Sequence, residues 1–186
     1  MMDEPSVTTV LSPFADFSGI RPEVLQHAAD RGTRVHLACA SFAKGIGVWG
    51  CGLHAEDMPF YTSFLKWADI TKPIFVAIEE EYRDPDMGYM GHPDAIIQMP
   101  GEAGLTIIDY KTPACVSRSW APQIAAYAHL ARKAGYDIRR GFCVRLSRLS
   151  APAIATEISI DGEPWGIFKC ALSAYQYFNQ GKKEKR

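Results

Sequence analysis

Leu105-Thr106-Ile107-Ile108 is apolar enough to be a central strand of a sheet, and it runs without a break into Asp109-Tyr110-Lys111-Thr112. A carboxylate at the end of a buried strand is costly unless something compensates it, and a cost of that kind usually marks a functional site. Side chains alternate along a strand, so Asp109 and Lys111 project from one face and Ile108 and Tyr110 from the other. On composition alone the pair means little, because an Asp or Glu two before a Lys arises about once in any chain of this length. Its position at the end of the apolar run gives it weight.

The surrounding pattern supplies the rest of a sheet. Ile74-Phe75-Val76-Ala77-Ile78, Tyr89 to Met99 and Leu105 to Ile108 are rich in β-branched and aromatic residues and are separated by Asp, Pro and Gly turns, which predicts three consecutive strands in an antiparallel meander. Upstream, Pro22 fits the first position of a helix that Gly32 breaks. Thr33 then caps a second helix ending at Gly45, and Asp57 caps a third from about Met58 to Asp69. Downstream, Ser119 caps an Ala-rich helix from about 121 to 134, ended by Gly135. Strands near 138–147 and 153–160 follow, with a last helix over about 163–179. The expected class is α/β (α+β), with helices covering a mixed sheet.

With 186 residues we expect one domain over 1–186, the charged stretch 181–186 fraying into solvent. No stretch is long and apolar enough for a membrane span, and Asp3 and Glu4 with no basic residue before Arg21 do not make a signal peptide, so the expected compartment is cytoplasmic. The five cysteines, at 39, 51, 115, 143 and 170, are widely spread without a CxxC pair. They read as reduced thiols; neither a disulfide framework, a zinc ribbon nor an iron-sulfur cluster is expected.

Chemistry enters with a second carboxylate. Gly91-His92-Pro93-Asp94 precedes Asp109 by fifteen residues, and on the adjacent antiparallel strand Asp94 would bring its carboxylate to that of Asp109. Two such groups repel unless a cation sits between them, and hard oxygen ligands favour Mg²⁺ or Mn²⁺.

In order along the chain, Arg31-Gly32-Thr33-Arg34-Val35-His36, Glu79, Gly91-His92-Pro93-Asp94, Ile108-Asp109-Tyr110-Lys111-Thr112 and Gln123-Ile124-Ala125-Ala126-Tyr127 resemble the motifs of the PD-(D/E)XK nuclease superfamily. The resemblance is closest to its RecB-like exonuclease branch, which includes phage exonucleases, CRISPR-associated RecB-like nucleases and the mitochondrial genome maintenance exonuclease. It covers residues 31–127 and implies a restriction-endonuclease-like core. It also implies a metal-dependent deoxyribonuclease, most simply an exonuclease acting at DNA ends or on single strands in recombination, repair or phage DNA processing, in the host-cell cytoplasm if phage-encoded. By that resemblance Asp94, Asp109, the imidazole of His36 and the backbone carbonyl of Tyr110 hold one or two divalent ions. Lys111 positions or helps deprotonate the attacking water, Glu79 ligates a second ion through water, and Gln123 and Tyr127 orient the lysine or touch the DNA backbone.

Several of these residues keep a plainer reading. His36 can be a satisfied helix histidine, and Gln123 and Tyr127 ordinary residues four apart on one helix face. Which of Glu79, Glu80 and Glu81 faces the site depends on the parity of the pleat.

The net charge of −1 gives no bulk argument for nucleic acid, but the charge is segregated. Residues 49–109 hold 11 acidic and 3 basic residues, whereas 132–148 hold 6 basic and 1 acidic. An acidic metal centre beside a basic wall of Arg132, Lys133, Arg139, Arg140, Arg145 and Arg148, with Arg118 near it, suits a groove that tracks phosphates. A solvated helix end and strand edge give the same count. Trp120 and Tyr136 can stack on bases or belong to the core. A recombination or replication partner fits the nuclease reading, and the rival reading is a DNA-binding module that keeps the fold without catalysis. Neither the oligomeric state nor the cleavage polarity follows from the sequence.

Overall fold

The strand that begins at Leu105 extends through the charged residues to Lys111 and lies in the middle of a five-stranded sheet. The computed structural model describes residues 4–15, 19–47, 52–112 and 116–179. The 181–186 tail, Trp49, Cys51 and Cys115 lie outside them. The helices are α1 (Val7–Leu11), α2 (Pro22–Ala43), α3 (Met58–Thr71), α4 (Trp120–Lys133) and α5 (Glu163–Asn179), with one 3-10 turn at Ser12–Phe14. The strands are β1 (Ile74–Ile78), β2 (Tyr82–Asp84), β3 (Tyr89–Gly91), β4 (Ala95–Gln98), β5 (Leu105–Lys111), β6 (Ile138–Arg145) and β7 (Ile154–Ile158).

The sheet order is β1-β4-β5-β6-β7, with β5 antiparallel to β4 and parallel to β6. A parallel neighbour requires a crossover, and α4 supplies it. Because β5 is covered on both faces, its alternation sorts side chains between two cores. Ile107 joins Ile96, Ile124, Leu130 and Phe168 beneath α1, α4 and α5. Ile108 and Tyr110 join Val35, Phe64, Trp67 and Val144 beneath α2 and α3. Each fully buried isoleucine contributes roughly 1.5–3 kcal/mol. The α+β architecture expected above is the one observed.

Three local expectations are corrected. First, α2 is one helix from Pro22 to Ala43, running through Gly32 without a break. A glycine inside a helix costs only about 1 kcal/mol, less than nucleating a second helix, and the Thr33 hydroxyl donates to Ala29 O at 3.1 Å within the helix instead of capping a new one. Second, Tyr89 to Met99 is two strands. Pro93 has no N–H to give to a ladder, and β3 leaves the main sheet to pair with β2 in a separate ribbon. The meander survives as β1-β4-β5 with that ribbon inserted. Third, neither Asp57 nor Ser119 caps its helix with its side chain. Ser119 Oγ pairs with Ser117 Oγ. Among the described cysteines, Cys39 and Cys143 are buried thiols and Cys170 an exposed one.

Asp57 has a different task. Its fully buried carboxylate accepts from Arg34 Nε at 2.6 Å and Nη2 at 3.1 Å, and from His54 N at 2.9 Å, tying α2 to the start of α3. Burial alone would raise this carboxyl, but Arg34 and the His54 N–H hold it below its ordinary 3.8. We expect Asp57→Asn to lose about 2 kcal/mol at neutral pH, the scale of hydrogen bonds to a charged group, since Arg34 keeps water on its outer side. A depressed carboxyl stabilises fully above its unfolded value and stops doing so as pH falls through its folded value. Urea unfolding should therefore show the gap between wild type and variant closing below pH 3.8.

Candidate active site

The charged residues collect where β5 ends, in a cleft between α2 on one side of the sheet and α4 on the other. Asp94 immediately precedes β4, and the pairing of Ala95 with Ile108 brings it alongside Asp109. Asp94 Oδ1 lies 2.9 Å from His36 Nδ1, and Oδ2 accepts the Tyr110 N–H. Thus Asp94 locks α2 to β5. The His36 ring stands edge-on to Tyr110 at 6.0 Å, and Tyr110 is itself packed edge-on against Phe64 at 5.3 Å and Trp67 at 6.3 Å. The tyrosine side chain is therefore a core anchor, which leaves its backbone at the site.

On the other face, Lys111 Nζ sits 2.5 Å from Asp109 Oδ2 and donates to Gln123 Oε1 at 2.7 Å. Gln123 Nε2 in turn lies 3.1 Å from Tyr127 Oη. The four-residue spacing on α4 creates this relay, because residues four apart stand one above the other on a helix. Gly91 makes room for it. A Cβ there would fall 2.7 Å from Tyr127 Cε1, so any larger residue would push the tyrosine out of line.

Glu79 reaches the site by a route that pleat parity cannot anticipate. It follows the last residue of β1 with φ of +53°, a left-handed conformation uncommon for a non-glycine residue and of a kind that gathers at functional sites. Its N–H donates to Asp94 O at 3.1 Å, so the turn is tied to the same aspartate. Glu80 and Glu81 face elsewhere. Glu80 accepts from Tyr82 Oη at 2.9 Å, and Glu81 pairs with Arg83 at 2.5 Å and His92 at 3.1 Å.

Electrostatics follow from burial and proximity. Burial disfavours the Asp109 anion and the neighbouring Asp94 adds repulsion, so its carboxyl is raised although Lys111 pulls it down. Burial would lower Lys111, but Asp109 outweighs it and the amine is held above its ordinary value as an ammonium. Burial likewise disfavours charged His36, yet Asp94 carries it up to about 9. Crowding by protein and the Asp94 carboxylate push Glu79 up to about 7, although the residue keeps access to solvent.

The basic residues divide into two groups. Arg132 pairs with Asp161 at 2.7 Å, Lys133 with Asp84 and with Asp86 at 2.5 Å, Arg139 with Asp137 at 2.9 Å, and Arg140 with Glu102 and with Glu157 at 2.9 Å. Among the described residues, Arg118, Arg145 and Arg148 have no carboxylate partner. Arg145 lies opposite Lys111 in the parallel register of β5 and β6, so the two cations share one face of the sheet. Tyr136 packs edge-on to Tyr82 at 5.7 Å, whereas Trp120 sits at the rim of the core near Lys111. Sequence reasoning missed a further buried cluster, in which Asp84 takes Lys133, His129 at 3.1 Å and the N–H groups of Asp86 and Met87. No local motif announces it, since its members come from β2 and α4.

A divalent ion fits this set of donors. Asp109 is buried with Oδ2 held at 2.5 Å by the Lys111 ammonium, and the Asp94 carboxylate beside it adds a repulsion that a further cation would relieve. Asp94, bonded to His36 Nδ1 and to the Tyr110 N–H, adds a second hard oxygen donor with an imidazole beside it, the donor types suited to Mg²⁺ or Mn²⁺. Among the described residues no three His, Cys, Asp or Glu side chains form a ready-made cluster.

By sequence, no family model and no characterised protein matches the chain. By structure it is similar to an alkaline exonuclease (LHK-Exo) from Laribacter hongkongensis, with a TM-score of 0.53 at 11% identity over 95% of this chain and 87% of that one. It is also similar to SSO0001, with a TM-score of 0.52 at 17% identity over 98% of this chain and 78% of that one. These likenesses establish the fold, which is the one the ordered motifs imply.

If Asp94 and Asp109 hold an ion, Mn²⁺ at about 100 times its Kd should stabilise the protein by about 2.7 kcal/mol, roughly 5–10 °C in Tm for a chain of this size. Asp94→Ala and Asp109→Ala should abolish that shift in a thermal melt, and His36→Ala should reduce it. Shifts equal to the wild type's would place the ion elsewhere.

Proposed function

We propose that the protein is a divalent-metal-dependent DNA nuclease, an exonuclease hydrolysing phosphodiester bonds at DNA ends or in single strands, within one domain and in the cytoplasm. The observation that carries this reading is the convergence of Asp94, Asp109 and Lys111 at the end of the central strand, in a fold shared with a solved exonuclease. Recombination, repair or phage DNA processing would be its setting.

Asp94, Asp109, His36 and the Tyr110 carbonyl would hold Mg²⁺ or Mn²⁺, which when bound supplies charge relief on the phosphate oxygens and a more acidic water. As an ammonium steadied by Gln123, Lys111 holds the attacking water in line and offsets negative charge developing on the phosphate. Tyr127 keeps Gln123 in its rotamer and so acts at one remove. Glu79, raised toward neutrality, can hold a water or accept its proton at the cleft edge. Arg145, beside Lys111 and without a carboxylate partner among the described residues, suits a neighbouring backbone phosphate. Arg132, Lys133, Arg139 and Arg140 are occupied by carboxylates and contribute less.

End-labelled single- and double-stranded DNA incubated with Mg²⁺ or Mn²⁺ tests the proposal. We expect cleavage that stops on chelation and falls on the order of 10²–10³-fold in Lys111→Ala. Absence of metal-dependent cleavage by the wild type would overturn the reading and favour a non-catalytic DNA-binding module. Labelling either end separately reports polarity. Arg145→Ala should weaken DNA binding and flatten its salt dependence by about one phosphate contact, while Arg139→Ala, which removes a cation already held by Asp137, should leave both nearly unchanged.

A further inference from the structure

A cavity of about 550 Å³ opens directly beside Lys111, walled by Leu25, Ala28 and Ala29 of α2 and by Trp120 at the start of α4, with Gln26 among its lining. Its size is that of a small-molecule site. It exists because α2 is longer than the sheet it covers. The C-terminal half of the helix is buried through Val35, Ala38 and Cys39, while residues 22–30 overhang the end of β5 and are largely exposed. On that overhang Leu25, Ala28 and Ala29 recur at helical spacing and present an apolar stripe that no described element covers.

The lining says what would enter. Among the described residues no carboxylate lines it and its one cation is Lys111, which is not the lining of a second phosphate site. It offers small apolar side chains on one wall and an indole on another, which matches a flat aromatic ring. Gln26 supplies the polar contact: its Nε2 donates to Asp30 at 2.7 Å, leaving its carbonyl oxygen to accept. A phosphodiester held at Lys111 carries a base on either side, and a base already paired and stacked in a duplex cannot turn into a walled cavity without first being extruded.

We propose that this cavity is a base-binding subsite, which takes the unpaired base flanking the scissile phosphodiester, stacked against Trp120, and so selects single-stranded DNA over paired duplex. The proposal rests on the nuclease reading and adds to it the strand preference and the residue that sets it. Aromatic stacking tolerates every base, so the subsite distinguishes unpaired from paired nucleotides without reading sequence.

The test uses a short single strand and the same strand with one abasic residue placed at successive positions. With the unaltered protein in Mn²⁺, we expect cleavage to slow about tenfold when the abasic residue flanks the scissile bond, and to be unaffected when it lies several nucleotides away. Trp120→Ala should slow cleavage of the ordinary strand by a similar factor and lose its sensitivity to the abasic residue, while Trp120→Phe should retain both. Sensitivity unchanged in Trp120→Ala, or absent in the wild type, would overturn the subsite. If the wild type cleaves nothing, the nuclease reading fails separately, and equilibrium binding of the same strands in Ca²⁺ decides the subsite. Tighter binding of the ordinary strand by the wild type but not by Trp120→Ala supports it, and equal binding overturns it.

Discussion

The buried pair of Asp109 and Lys111 at the end of the central strand is the constraint to which the rest of the structure answers. Two opposite charges taken out of water are rarely a gain in stability over apolar residues of the same size. Here the neighbouring Asp94 carboxylate adds to that cost, because it disfavours the Asp109 anion. Holding the pair therefore draws in neighbours. Lys111 needs Gln123, Gln123 is held by Tyr127, and Tyr127 needs a glycine at position 91. Strand β5, helix α4 and the β3 ribbon are thereby tied to one site.

Asp94 performs the same service on the opposite side. One of its oxygens takes the backbone of β5 and the other the imidazole of α2, while its own carbonyl receives the left-handed turn that delivers Glu79. The cleft thus lies at the end of β5 between the two hydrophobic clusters that cover the faces of the sheet, and is held by rigid elements on both sides. That construction suits phosphodiester chemistry, in which positioning and preorganised charge supply most of the catalysis. The overhang of α2 and the rim at Trp120 extend the cleft into an apolar recess.

Much of this was legible in the residues, and the reason is periodicity. Alternation with a period of two places Asp109 and Lys111 on one face, and a spacing of four aligns Gln123 with Tyr127; both rules are local and need no partner. Turn residues and propensity also located α5 and all five strands of the main sheet. Local reasoning failed where a long-range contact decided the outcome. Gly32 reads as a helix stop, but packing carries α2 through it. The segment from Tyr89 to Met99 reads as one strand, but Pro93 and the close approach of Tyr127 to Gly91 divide it. Glu79 escapes the pleat because its backbone is left-handed.

Charge shows the division most clearly. The count that set an acidic centre beside a basic flank was correct as arithmetic, yet four of the six cations in that flank are bound to carboxylates brought from β2, β7 and the loops, and Arg145, beside Lys111, has no carboxylate partner among the described residues. By itself the sequence determined the class of fold, the order along the chain of the main-sheet strands and the identity of the acidic and basic groups at the end of β5, because these depend on spacing along the chain. Only the tertiary structure decided which charges are neutralised, which carboxylates are brought together and where an apolar cavity opens beside the lysine. Those depend on distances between residues far apart in sequence, and Coulomb energy and burial are functions of those distances alone.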